Sequence, residues 1–283
     1  MENARQHCHL HSKAQEHRRG GYSILSSGYS HGGGQTHPQN MTNTKRNDKV
    51  VKELNGMDCF QRVARFASCE STSNAFLLID ADQLAAVFLH WAPELHLHYE
   101  NTLHRLESDD RTLERPFQGS VFPAVIYNLG PQTVTVPHFD FANLPFGWCG
   151  ITAFGNYDHT KGGHFVLPAC RLIIEFPAGS TILVPSSILE HYNIPTSPHE
   201  RRYSFTQYAA GALFRWSDYG LQDTKSYRDS MDEEAWKGIT VKMKRNFELG
   251  LKLLPQLKVL IHLSRSKFKH SFRLSSTKPE AFV

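Results

Sequence analysis

The chain has 283 residues, a formal net charge of +4 and an apolar fraction of 40%. That length suits one large domain with tails or two small domains, and the small net charge excludes a uniformly basic surface. The five cysteines form no C-x-x-C pair, which is typical of free thiols and argues against a zinc ribbon or a disulfide framework. No apolar run reaches the roughly 20 residues of a membrane-spanning helix, and the N-terminus has no signal-peptide pattern. We therefore expect a soluble intracellular protein with no membrane partner, and its oligomeric state stays open.

The two ends of the chain differ in composition from its middle. Residues 1–49 are polar, rich in Gly, His and Ser, and without a helical or strand period, so we predict a disordered N-terminal tail. Residues 221–283 are predicted to form a helical and basic C-terminal extension, with a helix over residues 232–254 that Pro255 ends or kinks. The basic tail either contacts phosphate or only keeps the chain in solution. Residues 50–220 remain as the predicted core.

The predicted core begins with helices. Residues 74–80 have the pattern of a short buried strand, and residues 81–91 have apolar side chains at helical spacing. Pro93 suits the first turn of a second helix that runs to about Leu106. We therefore predict a helical support over about residues 81–107.

From about residue 119 to residue 216 the pattern changes to short β-rich segments. Turn residues separate seven of them, which are SVFPAVIYNLG, TVTVPHF, WCGITAFG, HFVL, RLIIEF, STILVP and RRYSFTQYAA. Short strands at this spacing favour a sandwich or jelly roll over alternating βαβ units. The predicted fold class is therefore mainly β with flanking helices, an α+β protein.

A possible metal site lies in the second segment. In an extended chain, residues two apart point to the same side, so His138 and Asp140 can face one ion. His191 follows just past the predicted strand over residues 180–185, and the first and last elements of a jelly roll become neighbours in space. Two histidines and one carboxylate bind Fe(II) on one face and leave positions for a co-substrate and O2. The alternative is that these are ordinary histidines at strand ends.

A possible anion clamp follows on the last predicted strand. Arg202 and Ser204 lie on one side of that strand, and Arg201 points away. A guanidinium binds a carboxylate with two charge-assisted hydrogen bonds, and a serine hydroxyl adds a third. These are the hydrogen bonds expected to bind the distal carboxylate of 2-oxoglutarate. The alternative for Arg202 is a surface salt bridge.

Other polar and aromatic residues admit simpler explanations. His96 and Glu100 lie in a helical pattern with His98, and residues two apart on a helix diverge, so we expect a solvent-facing helix there and no metal site. Tyr127, Phe141 and Trp148 could stack on a planar substrate. The alternative is that they fill the core, as most aromatic residues do.

Together these residues resemble the Fe(II)/2-oxoglutarate dioxygenases, and within them the TET/JBP-like oxygenase domains that are abundant in mushroom-forming fungi. The similarity spans about residues 84–220 and rests on four segments, which are LAAVFLHWAPELHLHYENTLHRL, RPFQGSVFPAVIYNLGPQTVTVPHFDFANLPFG, GNYDHTKGGHFVL and RLIIEFPAGSTILVPSSILEHYNIPTSPHERRYSFTQYAAGALFRW. It implies a double-stranded β-helix over about residues 119–216 within an oxygenase domain over residues 50–220. Carried over, the iron ligands are His138, Asp140 and His191, and the 2-oxoglutarate anchors are Arg202 and Ser204.

The resemblance also implies an activity, the oxidation of 5-methylcytosine or a related modified base in DNA. A base inside a duplex would have to be flipped out to reach a buried iron, and location in the nucleus would follow from a DNA substrate. Three alternatives remain. The chain could be a 2-oxoglutarate-dependent hydroxylase of a protein side chain or small molecule, or an inactive transposon-associated relic with the same fold. A zinc hydrolase is the third, but zinc chemistry does not need the clamp at Arg202 and Ser204.

Overall fold

The computed structural model describes residues 1–8, 16–68 and 87–254. The helices are α1 (Glu2–His7), α2 (Lys45–Gly56), α3 (Asp58–Ser68), α4 (Val87–Trp91), α5 (Pro93–Asp109), α6 (Gly211–Asp218), α7 (Thr224–Asp229) and α8 (Glu233–Leu253). The strands are β1 (Glu16–His17), β2 (Gly20–Gly21), β3 (Ile24–Ser30), β4 (Gln39–Asn40), β5 (Ala124–Asn128), β6 (Cys149–Asn156), β7 (Phe165–Leu167), β8 (Leu172–Ile174), β9 (Thr181–Val184), β10 (Tyr192–Asn193) and β11 (Arg201–Tyr208). The strand predicted over residues 74–80, the helical residues 81–86, Pro255 and the basic tail beyond it lie outside the described residues.

The largest element of the fold is a six-stranded sheet with the order β4-β3-β5-β11-β6-β9. Every neighbouring pair in it is antiparallel. At its centre, Ser204 on β11 lies opposite Asn128 on β5 and Ala153 on β6. Six of the seven β-rich segments contain strands, and antiparallel sheets with helices confirm an α+β protein.

A smaller three-stranded sheet, β10-β7-β8, packs against one side of the large sheet. After β6 the chain enters the small sheet for β7 and β8 and returns to the large sheet for β9. It then adds β10 to the small sheet and β11 to the large sheet. The two sheets share one apolar cluster, in which Phe165 of β7 lies with Ile151 of β6 and Val184 of β9. The space between the sheets is therefore where side chains from distant segments meet.

Helices α2 and α3 cover the opposite face of the large sheet. Phe60 of α3 contacts Tyr127 of β5 and Phe205 of β11, with ring centroids 5.0 and 5.1 Å apart. Thr44 begins α2 by accepting a hydrogen bond from the Asn47 amide, as a helix N-cap does. Because side chains alternate along a strand, Phe205 faces these helices while Arg202 and Ser204 face the small sheet.

Helix α5 begins at Pro93, as predicted, and packs with α4 and α6. The expectation that it faces solvent near His96 is wrong, because His96 is 0% exposed and Glu100 is 3% exposed. Their Nδ1 and Oε2 atoms are 3.9 Å apart, and the His96 ring contacts Phe88. Helix α8 is also as predicted and begins at its N-cap Asp232.

The N-terminal part of the chain differs from the prediction. Strand β3 pairs antiparallel with β5 along its length, with Ile24 opposite Asn128 and Gly28 opposite Ala124. Leu25 is 2% exposed and belongs to the cluster under α2 and α3. The expectation of a disordered tail therefore does not hold for this stretch, since alternate side chains of β3 are buried against the core.

The segment TVTVPHF is not a strand, also against the prediction. Within it His138 forms an isolated pairing with His191, and just before it Gln132 forms one with Arg202. No helix among the described residues is both long and apolar enough to cross a membrane.

Candidate metal centre

Backbone pairing brings the two histidines of the predicted triad together. The His138 amide donates to the His191 carbonyl at 3.2 Å, and the His191 amide donates back at 3.0 Å. The Asp140 amide donates to the Ser186 carbonyl at 2.9 Å. Main-chain bonds fix both segments, and the ring centroids of the two histidines lie 4.3 Å apart.

Hydrogen bonds to carbonyls set the tautomer of both imidazoles. Nδ1 of His138 is 2.7 Å from the Val136 carbonyl, and Nδ1 of His191 is 2.9 Å from the Leu189 carbonyl. A carbonyl can only accept, so each Nδ1 carries the hydrogen and each Nε2 carries a lone pair. This is the arrangement by which proteins orient histidines that bind metals.

Asp140 completes the group. Its carboxylate oxygens lie 3.8 Å from Nε2 of His138 and 3.9 Å from Nε2 of His191. One ligand atom from each of the three residues lies within 4.8 Å of the others, and no second group of this kind occurs in the part of the chain that the structure describes. Metal–ligand bonds of about 2.1 Å at right angles hold ligand atoms about 3.0 Å apart. The three residues therefore fit a metal ion after a small contraction.

The surroundings favour the neutral form of His138. Asp140 is 5% exposed and His191 is 3% exposed. Burial, together with the neighbouring His191, lowers the pKa of His138 to about 4. A neutral imidazole is the form that binds a metal ion, so His138 needs no deprotonation at neutral pH.

Arg202 is fully buried, which excludes the surface salt bridge considered above. Its Nη1 donates to the Thr133 carbonyl at 2.8 Å, and its guanidinium lies 5.9 Å from the centre of the Tyr157 ring. Nε and Nη2 have no hydrogen-bond partner among the described residues. Burial lowers the pKa of Arg202 from its usual value. A buried cation with two unused donors has the chemistry to bind an anionic group that enters from outside.

Ser204 lies on the same face of β11 as Arg202 and is 4% exposed. Its Oγ accepts a hydrogen bond from Nδ2 of Asn128 at 2.8 Å. A hydroxyl has one donor in addition to its acceptor positions, so the O–H of Ser204 remains to be donated.

Two further residues near this centre escaped the sequence prediction because they lie in the segment that was expected to be disordered. Nη2 of Arg19 lies 2.6 Å from Oδ1 of Asp140. Tyr22 is 3% exposed, and burial raises its pKa to about 12, with smaller effects from the charges of Arg19, Arg202 and Asp140. The even spacing of Leu25 and Tyr29, with small polar residues between them, was a partial signal for a strand here.

The three candidate stacking residues have different surroundings. Tyr127 is fully buried, and Trp148 stacks on Phe88 with ring centroids 5.5 Å apart. Phe141 is 71% exposed and stacks on Phe139 at 5.2 Å. Only Phe141, directly after Asp140, presents its ring to solvent beside the triad.

No family model matches the chain, and no curated protein matches it significantly. One similar solved structure is NgTET1 in complex with 5mC DNA, with 16% identity over 57% of this chain and 68% of that chain and a TM-score of 0.30. Another is the viral collagen prolyl hydroxylase vCPH from Paramecium Bursaria Chlorella virus-1 in its 2OG complex, with 15% identity over 30% of this chain and 55% of that chain and a TM-score of 0.23. Similarities this weak carry no argument about the chain, which therefore has to be judged on its own geometry.

Proposed function

We propose that this protein is an Fe(II)/2-oxoglutarate-dependent dioxygenase, with a double-stranded β-helix as the core of residues 50–220. The supporting observation is a combination. A triad of two histidines and one aspartate, with both Nε2 lone pairs available, occurs together with a buried arginine that has two unused donors. A zinc hydrolase would need the first feature but has no use for the second.

Each residue has a defined task under this proposal. His138, Asp140 and His191 hold the ion on one face, and Arg19 fixes the Asp140 carboxylate through its ion pair. Arg202 binds the distal carboxylate of 2-oxoglutarate with the N–H groups that have no protein partner. When bound, Fe(II) and 2-oxoglutarate supply the activation of O2 and the oxidation of a substrate C–H bond.

Two more residues control what surrounds the co-substrate. Ser204 donates its hydroxyl hydrogen to the same carboxylate, while Asn128 keeps the hydroxyl in place. Tyr22, whose pKa is raised to about 12 by burial, stays protonated at neutral pH. It therefore adds no negative charge to the surroundings of Asp140 and Arg202.

We further propose that the substrate is 5-methylcytosine or a related modified base in DNA. Phe141 supports this, because an exposed phenyl ring beside a metal triad can stack on a planar base. Such a base would be flipped out of the duplex, since the triad is mostly buried. Location in the nucleus would follow from this substrate.

The test combines two measurements on one reaction. Purified protein is incubated with Fe(II), ascorbate, 2-oxoglutarate and methylated duplex DNA, and succinate and oxidised bases are both quantified. We expect both products, and neither with Asp140→Ala. Phe141→Ala should reduce the oxidised bases much more than the succinate formed without DNA.

Other outcomes separate the alternatives. Succinate without oxidised bases would reject the DNA substrate and favour the hydroxylase of a protein or small molecule. Absence of succinate with every substrate, in protein shown to contain iron, would reject the dioxygenase and favour the inactive relic.

A further inference from the structure

A cavity that no residue of the triad lines lies between the loop after β3 and helices α6 and α7. Its volume is about 520 Å³, within the usual range for sites that bind small molecules. The residues used in the argument below are His31, Gly33, Arg215, Trp216, Asp223 and Lys225. None of them belongs to the centre proposed above.

The charges in this cavity favour an anion. Arg215 and Lys225 are both exposed, and neither forms an ion pair with any residue that the structure describes. The single acid of the lining, Asp223, is committed to α7. Its Oδ1 accepts from the amides of Lys225 and Ser226 at 2.8 and 2.9 Å, and its Oδ2 accepts from the Ser226 hydroxyl at 2.6 Å. The cavity lining therefore has two cations and one carboxylate, and that carboxylate already accepts three hydrogen bonds at the start of α7.

The loop after β3 leaves its backbone accessible. Gly32, Gly33 and Gly34 all have positive φ, at 126°, 59° and 93°. A Cβ atom added at Gly33 or Gly34 would meet nothing within 4 Å. Successive amides without side chains in such a turn can approach an anion closely.

Aromatic rings form another part of the lining. The rings of His31 and Trp216 lie 5.2 Å apart at 72° to each other. Burial lowers the pKa of His31, with a smaller effect from the charge of Arg215, so its imidazole is neutral at neutral pH. Trp216 is only partly buried and packs at the edge of the helical cluster. An indole next to two cations is the combination that proteins use to bind a base and its phosphate together.

We propose that this cavity is a nucleotide site, in which Arg215 and Lys225 bind the phosphate and Trp216 stacks on the base. The nucleotide is either free or part of a single strand, and the chemistry of recognition is the same. The proposal does not depend on the oxygenase activity, because it uses none of the residues assigned to it.

The test is calorimetric titration of the full chain without iron or 2-oxoglutarate, using four probes. These are AMP, adenosine, inorganic phosphate and a single-stranded DNA pentanucleotide. We expect AMP or the pentanucleotide to bind more tightly than adenosine and phosphate. The double variant Arg215→Gln/Lys225→Gln should weaken that binding at least about tenfold, and Trp216→Leu should weaken it about fivefold or more.

A matched control removes the same charges elsewhere. Lys49 and Arg62 are exposed on α2 and α3, and Lys49→Gln/Arg62→Gln should leave binding within about twofold. Binding of AMP would identify a free nucleotide, and binding of the pentanucleotide alone a strand. No binding of either, or equal loss in both double variants, would overturn the proposal. So would inorganic phosphate binding as tightly as AMP, since the base would then contribute nothing.

Discussion

At the scale of single residues, the burial of Arg202 costs folding free energy, and that cost indicates a binding role. A buried guanidinium with two unsatisfied donors destabilises the folded chain, because its charge has lost water and gained only one hydrogen bond and a nearby Tyr157 ring. Such a residue contributes no stability that would explain its presence. An anionic ligand that completes its hydrogen bonds does explain it.

The first prediction separates these roles by replacing Arg202 with a side chain of similar length and no charge. Arg202→Met should leave the melting temperature unchanged or raised, because the buried charge is removed. The same change should weaken 2-oxoglutarate binding to the Mn(II)-loaded protein about tenfold or more, about 1.4 kcal/mol for each factor of ten. Thermal melts and calorimetry measure the two effects.

The neighbouring residue offers the control for this experiment. Arg201 is exposed and pairs with Glu2 at 3.1 Å. Arg201→Met should change stability by no more than about 0.5 kcal/mol and leave 2-oxoglutarate binding intact. A large loss of stability in Arg202→Met with normal binding would show that Arg202 is only structural.

The second prediction concerns the hydrogen bond between Asn128 and Ser204. Ser204→Ala leaves the buried amide of Asn128 without its acceptor, which should lower the free energy of unfolding by about 1–3 kcal/mol. In a double-mutant cycle with Asn128→Ala, the two losses should not add, because they remove the same bond. Urea denaturation measures the cycle. Additive losses would mean that the bond contributes little.

Two pairs of residues in the candidate site were predictable at this scale, and the reason is local geometry. The alternation of side chains along an extended chain places His138 with Asp140, and Arg202 with Ser204, whatever the rest of the fold does. Arg19 and Tyr22 could not be found in this way. They reach the centre through long-range contacts, the pairing of β3 with β5 and the hydrogen bond from the Val136 amide to the Arg19 carbonyl, and composition alone predicts neither.

At the scale of elements, β3 shows why a prediction of disorder from average composition was wrong for this part of the N-terminal segment. Its glycines and serines are typical of disordered chains, but the sequence Ile24–Ser30 buries every second side chain. Gly28 has a φ of 97°, and a Cβ there would lie 2.0 Å from the Pro123 carbonyl, so the glycine is required by packing. The error at His96 is of the same kind, since tertiary contacts with Phe88 bury a helix face that spacing alone leaves exposed.

The third prediction tests whether β3 is part of the core. Leu25 is 2% exposed under α2 and α3, so Leu25→Ala should lower the free energy of unfolding by about 2–5 kcal/mol. Leu172, which is 49% exposed on β8, provides the control, and Leu172→Ala should cost less than about 1 kcal/mol. Urea denaturation compares them. Equal, small effects would mean that the segment does not dock in solution.

At the scale of the whole molecule, the metal ligands come from segments that are joined only by the fold. His138 and Asp140 precede β6, whereas His191 follows β9, and pairings to His191 and Ser186 connect them. An ion that binds all three residues therefore binds the folded chain and not the unfolded one. Metal binding should for this reason appear as global stability and not only as activity.

The fourth prediction follows from that linkage. Mn(II) or anaerobic Fe(II) at about 100 times its Kd should stabilise the protein by about 2.7 kcal/mol, which for a chain of this size raises the melting temperature by about 5–10 °C. A chelator should reverse the shift, and Asp140→Asn should abolish it. Asp158, whose carboxylate pairs with Lys161 at 2.7 Å, serves as the control, and Asp158→Asn should keep the full shift. Scanning calorimetry measures all three proteins, and a normal shift in Asp140→Asn would place the ion away from His138 and His191.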